Sequence, residues 1–150
     1  MAGSTSVYNQ GGYNGNLYVD GTTRVNGTVS VSPSAITCPA GVVGTQGNCG
    51  TVTVTANSGA VTLTSTPFTF TAGPFSIVGG TCLPGGTLSS GATCTAQIGE
   101  NASSPSNYAS TLTVNTSGSG SATVGVSGSV SAFSCVPNAS QGRYCLVTPL

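Results

Sequence analysis

GTVTVTANSGAVTLTSTPFTFTAGPFSIVGG, residues 50–80, decides the fold. Val52 and Val54 alternate with threonines, Leu63 sits in the same Thr-rich rhythm, and Phe68 and Phe70 repeat the spacing of two before Phe75 and Ile77. A period of two places every second side chain on one face, the pattern of a half-buried strand. The β-branched runs and the Gly and Pro breaks leave no window for a helix. Turn residues separate these runs at close spacing, and Asp20-Gly21 and Asn26-Gly27 are turn signals upstream. The stretch therefore reads as three strands, over 50–56, 60–71 and 75–79.

The same rhythm continues on both sides. VSVSPSAIT (29–37), TCTAQI (93–98), ASTLTVN (109–115) and SATVGVSGS (121–129) are further strand candidates. Ile36, Ile98, Leu112, Val114, Val124 and Val126 are their inward residues. Seven short strands with turns at close spacing predict an all-β chain, an immunoglobulin-like seven-stranded β-sandwich. The predicted organisation is an amino-terminal arm with a short hairpin over 1–28, the sandwich over 29–130 and a carboxy-terminal tail over 131–150.

The composition narrows the function. The chain has 150 residues, 3% of them charged and none of them His, with a formal net charge of zero. Its charged residues are Asp20, Arg24, Glu100 and Arg143, and it lacks Lys. Ordinary soluble domains carry about 25% charged residues. Solubility here falls to Ser, Thr, Asn and Gly, and weak repulsion favours association. Without a basic patch, nucleic acid and anionic membranes are not expected partners. No apolar run approaches the ~18 residues of a membrane-spanning helix. The amino end lacks the basic and apolar regions of a signal peptide, so the expectation is a chain that never used one or had it replaced.

Catalysis is not expected. Without His or Lys, the Ser-His, Cys-His and Ser-Lys arrangements are excluded. A glycosidase pair would have to be Asp20 and Glu100. Asp20 reads as a turn residue, and Glu100, in Gly-Glu-Asn, as a solvated residue of a polar loop. One carboxylate in that segment is too few for calcium. No cofactor is implied. Sequons at Asn26, Asn101, Asn115 and Asn138 are as frequent as chance allows in so Ser/Thr-rich a chain.

The cysteines form three pairs close in sequence: Cys38 with Cys49, Cys82 with Cys94, Cys135 with Cys145. Zinc sites favour two to four residues between paired ligands and usually recruit His, and neither occurs. Local disulfides, buried free thiols and a metal are the three readings of these pairs, and disulfides are the expectation taken forward. They call for an oxidising final environment.

VSPSAITCPAGVVGTQGNCGTVTVTANSGAVTLTS, PFSIVGGTC, LSSGATCTAQI and YASTLTVNTSGSGSATVGVSGSV, in that order, resemble the bacterial immunoglobulin-like domains related to the ASPM/SPD-2/Hydin and major-sperm-protein family. The resemblance spans about 100 residues. It implies a seven-stranded sandwich used for anchoring or assembly, with a paired-cysteine loop at Cys82–Cys94 and no catalytic residues to carry over. Cys38 departs from the pattern, standing where an aromatic core residue belongs.

Both ends carry candidate contacts. Tyr8, Tyr13 and Tyr18 lie among Asn, Gln and Gly, and Leu17, Tyr18 and Val19 form an edge strand able to add to a neighbour's sheet. Tyr144 and Leu146 in the tail have no place in a completed sandwich. GNLYVDGTTRVNGTVSVS resembles pieces found in phage tail fibres. The expected protein is a structural component of a bacteriophage virion, a capsid decoration, spike or fibre subunit. Its partners would be itself, as a homotrimer, and other virion proteins, with a glycan as a further ligand of the tyrosines. The alternative is a secreted or surface-displayed bacterial adhesin or filament module.

Overall fold

The computed structural model describes residues 27–132 together with the backbone of two short strands, β1 (Tyr18–Val19) and β2 (Thr22–Thr23). The remaining strands are β3 (Thr28–Ser32), β4 (Ala35–Thr37), β5 (Gly41–Val42), β6 (Gly47–Asn57), β7 (Val61–Phe70), β8 (Phe75–Gly80), β9 (Thr87–Leu88), β10 (Thr93–Glu100), β11 (Ser106–Thr116) and β12 (Ser121–Ser131). Among the described residues there is no helix.

Two sheets face each other. One runs β3-β6-β10-β8, all antiparallel. The other runs β4-β12-β11-β7-β9, with β5 also beside β12. β4 and β5 pair with β12 in parallel and the other contacts are antiparallel. This is the two-sheet sandwich that the alternation predicts. β1 and β2 pair with each other, Tyr18 opposite Thr23 and Val19 opposite Thr22.

One predicted strand is two. Residues 29–37 divide at Pro33, which follows a cis peptide bond from Ser32. Proline has no N–H to donate to a ladder. The chain leaves the first sheet at Ser32 and joins the second at Ala35, so one alternating run serves both layers.

Between the sheets lie two joined groups of apolar side chains. The first gathers Ile36, Val52, Phe75, Ile98, Leu112 and Val124 with their neighbours. The second gathers Val54, Leu63, Cys94 and Val114. Leu63, Ile98 and Leu112 are the largest fully buried side chains, each contributing roughly 1.5–3 kcal/mol through burial. Phe68, Phe70 and Ile77 are half-buried and pack against this core. The Phe70 and Phe75 rings lie 6.2 Å apart and tilted by 32°, within the range of favourable aromatic pairs.

Hydroxyl pairs take the place of surface charges. Thr62 and Thr87 are paired across β7 and β9 with their Oγ1 atoms 3.0 Å apart. Asn57 Nδ2 donates to Ser30 Oγ at 2.9 Å, and Thr81 and Thr95 share three contacts through their hydroxyls and amides. Such cross-strand pairs contribute roughly 0.2–1 kcal/mol each. They hold the outer faces together in a chain that has almost no ion pairs to offer.

Candidate interaction surfaces

Among the described residues there are two disulfides. Cys38 and Cys49 are bonded, and so are Cys82 and Cys94. They do different work. Cys38 follows β4 in the six-stranded sheet, where its N–H donates to Ser127 O at 2.7 Å. Cys49 lies on β6 in the four-stranded sheet, inside the irregularity where Gly50 pairs with Ile98 and Asn48 with Gly99. The first bond therefore crosses the sandwich. The second ties the loop after β8 to β10, with the Cys82 N–H donating to Thr95 O at 3.0 Å. Cys38 occupies the core, at 6% exposure, where an aromatic residue was expected. Cys135 and Cys145 lie outside the described residues.

Glu100 overturns its expected place. It is not a solvated loop residue but the last residue of β10, 3% exposed and turned into the sandwich. The period of two explains this: Cys94, Ala96, Ile98 and Glu100 share one buried face. Its carboxylate reaches the inner face of β12 at Gly128 and lies beside Gly41, at 3.6 Å from where a Cβ on that residue would stand. Its Oε1 is buried and accepts no hydrogen bond. Burial pushes the carboxyl above the ordinary value of 4.5 by desolvating the charged form. No other charged side chain occurs among the described residues, so no cation offsets that cost. Arg24, Arg143 and Asp20 lie outside them.

The outer surfaces offer strand edges. β3 and β8 end the four-stranded sheet, each pairing on one side only among the described residues. Unpaired edge amides and carbonyls invite strand addition. On β8, Ile77 and Gly79 oppose the adjacent residues Ile98 and Gln97, so Val78 bulges out. Val78 is 40% exposed, and Leu83 in the loop that follows is 68% exposed. An open groove of about 580 Å³ lies along Thr64–Thr66, Asn115–Thr116 and Gly120–Ser121. The Asn115 amide is already committed there, donating to Thr66 O at 3.1 Å and Thr69 Oγ1 at 3.2 Å.

Of the expected contact residues, Tyr18 and Val19 form β1. Tyr8, Tyr13, Leu17, Tyr144 and Leu146 lie outside the described residues.

Comparison with solved structures gives the fold its name. The ASH/PapD-like domain of human CEP192 (PapD-like domain 7) superposes with a TM-score of 0.54 at 17% identity, covering 79% of this chain and 96% of that domain. The fold is an ASH/PapD-like immunoglobulin-like sandwich. This chain also aligns with part of the Vibrio cholerae VesB protease, with a TM-score of 0.51 at 17% identity. That match covers 69% of this chain but only 32% of the protease. No protein-family model matches the chain, and no curated protein sequence does. The disulfides point to an oxidising, extracellular setting.

Proposed function

We propose that this chain is a non-enzymatic structural subunit of a bacteriophage virion, a capsid decoration, spike or fibre component. It docks through its amino-terminal arm and assembles as a homotrimer with other virion proteins beside it. The observation that carries the reading is the pair of open sheet edges: among the described residues β3 and β8 each pair on one side only, while β1 and β2 pair with each other. Edges of this kind can receive a strand from a neighbouring copy, and the stretch over residues 17–19 is the strand this chain would contribute. A sandwich bolted across its layers suits such a role, because a rigid body transmits load from one docked end to the other. The sparse charge supports close packing of identical copies.

A second reading is favoured by the two disulfides. They equally suit a module displayed on a bacterial surface, an adhesin or a filament subunit.

Light scattering and native mass spectrometry of the full chain and of a chain lacking residues 1–26 test the assembly. Three times the chain mass for the first and a monomer for the second are expected. A monomeric full chain removes the proposal, and a trimer that survives the deletion removes the role of the arm. Proteomics of gradient-purified virions and of cell-surface fractions from the source culture separates the two settings.

A further inference from the structure

The sulfurs of Cys38 and Cys49 and a carboxylate oxygen of Glu100 all lie within 4.8 Å of one another. Among the described residues this is the one place where three such groups meet. The pair Cys82–Cys94 has no carboxylate companion. Glu100 is the unexplained member. It is almost wholly buried, its Oε1 has no donor, and no cation among the described residues faces it. A carboxylate in that position costs free energy unless something compensates it. Glycines at 41 and 128 leave the space it fills.

We infer that Cys38, Cys49 and Glu100 form a binding site for a thiophilic divalent cation of the zinc class when the Cys38–Cys49 bond is reduced. Two thiolates and one carboxylate are a suitable donor set for zinc, with Zn–S near 2.3 Å and Zn–O near 2.0–2.2 Å. Tetrahedral geometry sets the two sulfurs roughly 3.8 Å apart. Cys49 sits in the irregular part of β6, where the ladder constrains its backbone least. Cys49 is also only half-buried, so the fourth position opens toward solvent.

The chemistry balances as follows. Two molecules of a small thiol give two electrons and two protons to the disulfide and leave as their own disulfide, and Cys38 and Cys49 become thiols. Binding of Zn²⁺ forms two S–Zn bonds and releases two protons to water. The Glu100 carboxylate makes the third bond, and the metal then supplies the positive charge it lacks. The cation would join the same two sheets in a reducing compartment that the disulfide joins in an oxidising one.

The test uses the full chain with Cys82, Cys94, Cys135 and Cys145 changed to Ser. It is reduced with a water-soluble phosphine, freed of reductant and titrated anaerobically with Co²⁺ alone. The expected result is one Co²⁺ per chain, a thiolate-to-cobalt charge-transfer band, and a far-ultraviolet spectrum that keeps its β signature. Zn²⁺ should displace the cobalt. Glu100→Gln in the same background should weaken Co²⁺ binding at least about tenfold, and Cys38→Ser should abolish the band. The inference is overturned by a reduced chain that takes up no stoichiometric metal. It is equally overturned by a chain that unfolds before metal binds, or by Glu100→Gln affinity equal to that of the parent. Since the four serines remove the other staple, a second preparation with only Cys135 and Cys145 changed to Ser, reduced under limiting phosphine so that peptide mass mapping finds Cys82–Cys94 still bonded and Cys38 and Cys49 free, must show the same dependence on Glu100.

Discussion

The Glu100 carboxylate on β10 lies against the Cα of Gly128 on β12, spanning the interior from one sheet to the other. Gly128 stands on the inner face between Val126 and Val130, directly opposite Tyr108 on β11. A Cβ on Gly128 would overlap Glu100 Oε1 and come within 2.8 Å of both Cδ and Oε2. Relief requires the Glu100 carboxylate to move, and that side chain is enclosed by two sheets. Gly128→Ala is therefore expected to destabilise the sandwich by about 1–3 kcal/mol. The urea midpoint checks it. Adding Glu100→Ala to Gly128→Ala should cost less than the two single changes summed, with a coupling of at least about 0.5 kcal/mol. Strict additivity would show that the two residues do not press on each other.

The same carboxyl gives the protein an unusual pH profile. Its value in the folded chain lies above the ordinary 4.5 because burial penalises the charge. A raised carboxyl binds its proton more tightly folded than unfolded. Its contribution to stability is full below about 4.5 and is lost as pH rises through the folded value. The disulfide-bonded protein should thus lose stability from mildly acidic toward neutral pH. With no His in the chain and Asp20 as its one other acidic side chain, few groups mask the effect. In Glu100→Gln the fall should flatten. Chemical denaturation at a series of pH values reads both curves, and parallel curves would dismiss Glu100 as the cause.

The two staples close loops of almost equal length, with separations of 11 and 12 residues. Loop entropy alone predicts nearly equal stabilisation, about 3 kcal/mol each. Their places in the fold break the tie. Cys38–Cys49 joins the two sheets, whereas Cys82–Cys94 fastens a loop to a strand of the sheet it leaves. Replacing the first pair by serines should cost more than replacing the second, and calorimetry of the two variants decides it. Equal losses would mean that the sheets hold together through their apolar core without the crossing bond.

Much of this fold is legible from the alternation. Val52, Val54, Leu112 and Val114 follow a strict period of two, and all four are buried. What the period does not show is where a strand changes partners. Ser32 and Ala35 belong to one alternating run, yet they sit in different sheets because Pro33 interrupts the ladder between them. β5 and β9 are two residues long and too short to carry a rhythm at all. Glu100 departs from its expected place for another reason. Its charge and its Gly and Asn neighbours argue for a turn, while its parity with Ile98 argues for the core, and parity decided its position. A buried carboxylate violates the ordinary preference for exposure, and composition gives no warning of it. The Cys38–Cys49 pairing is readable as sequence neighbours, but that it crosses the layers follows only from the Pro33 switch.

Tyr108 supplies a final prediction, because it combines a polar tip with an inward ring. Its hydroxyl donates to Ser104 O at 2.6 Å, four residues back in the connection from β10 to β11. The ring packs against the core group that contains Phe75 and Leu112. This is the corner geometry by which a tyrosine pins the turn entering a sandwich strand. The bond is exposed to solvent, so water can replace it when it is lost. Tyr108→Phe should accordingly cost only about 0.5–1 kcal/mol. Tyr108→Ala removes the ring as well, and Gly128 directly opposite has no side chain to fill the gap. It should cost at least about 2 kcal/mol more than Tyr108→Phe. If thermal denaturation shows equal losses for the two variants, the hydroxyl and not the ring carries the contribution, and the corner rather than the core sets the stability of this end of the sandwich.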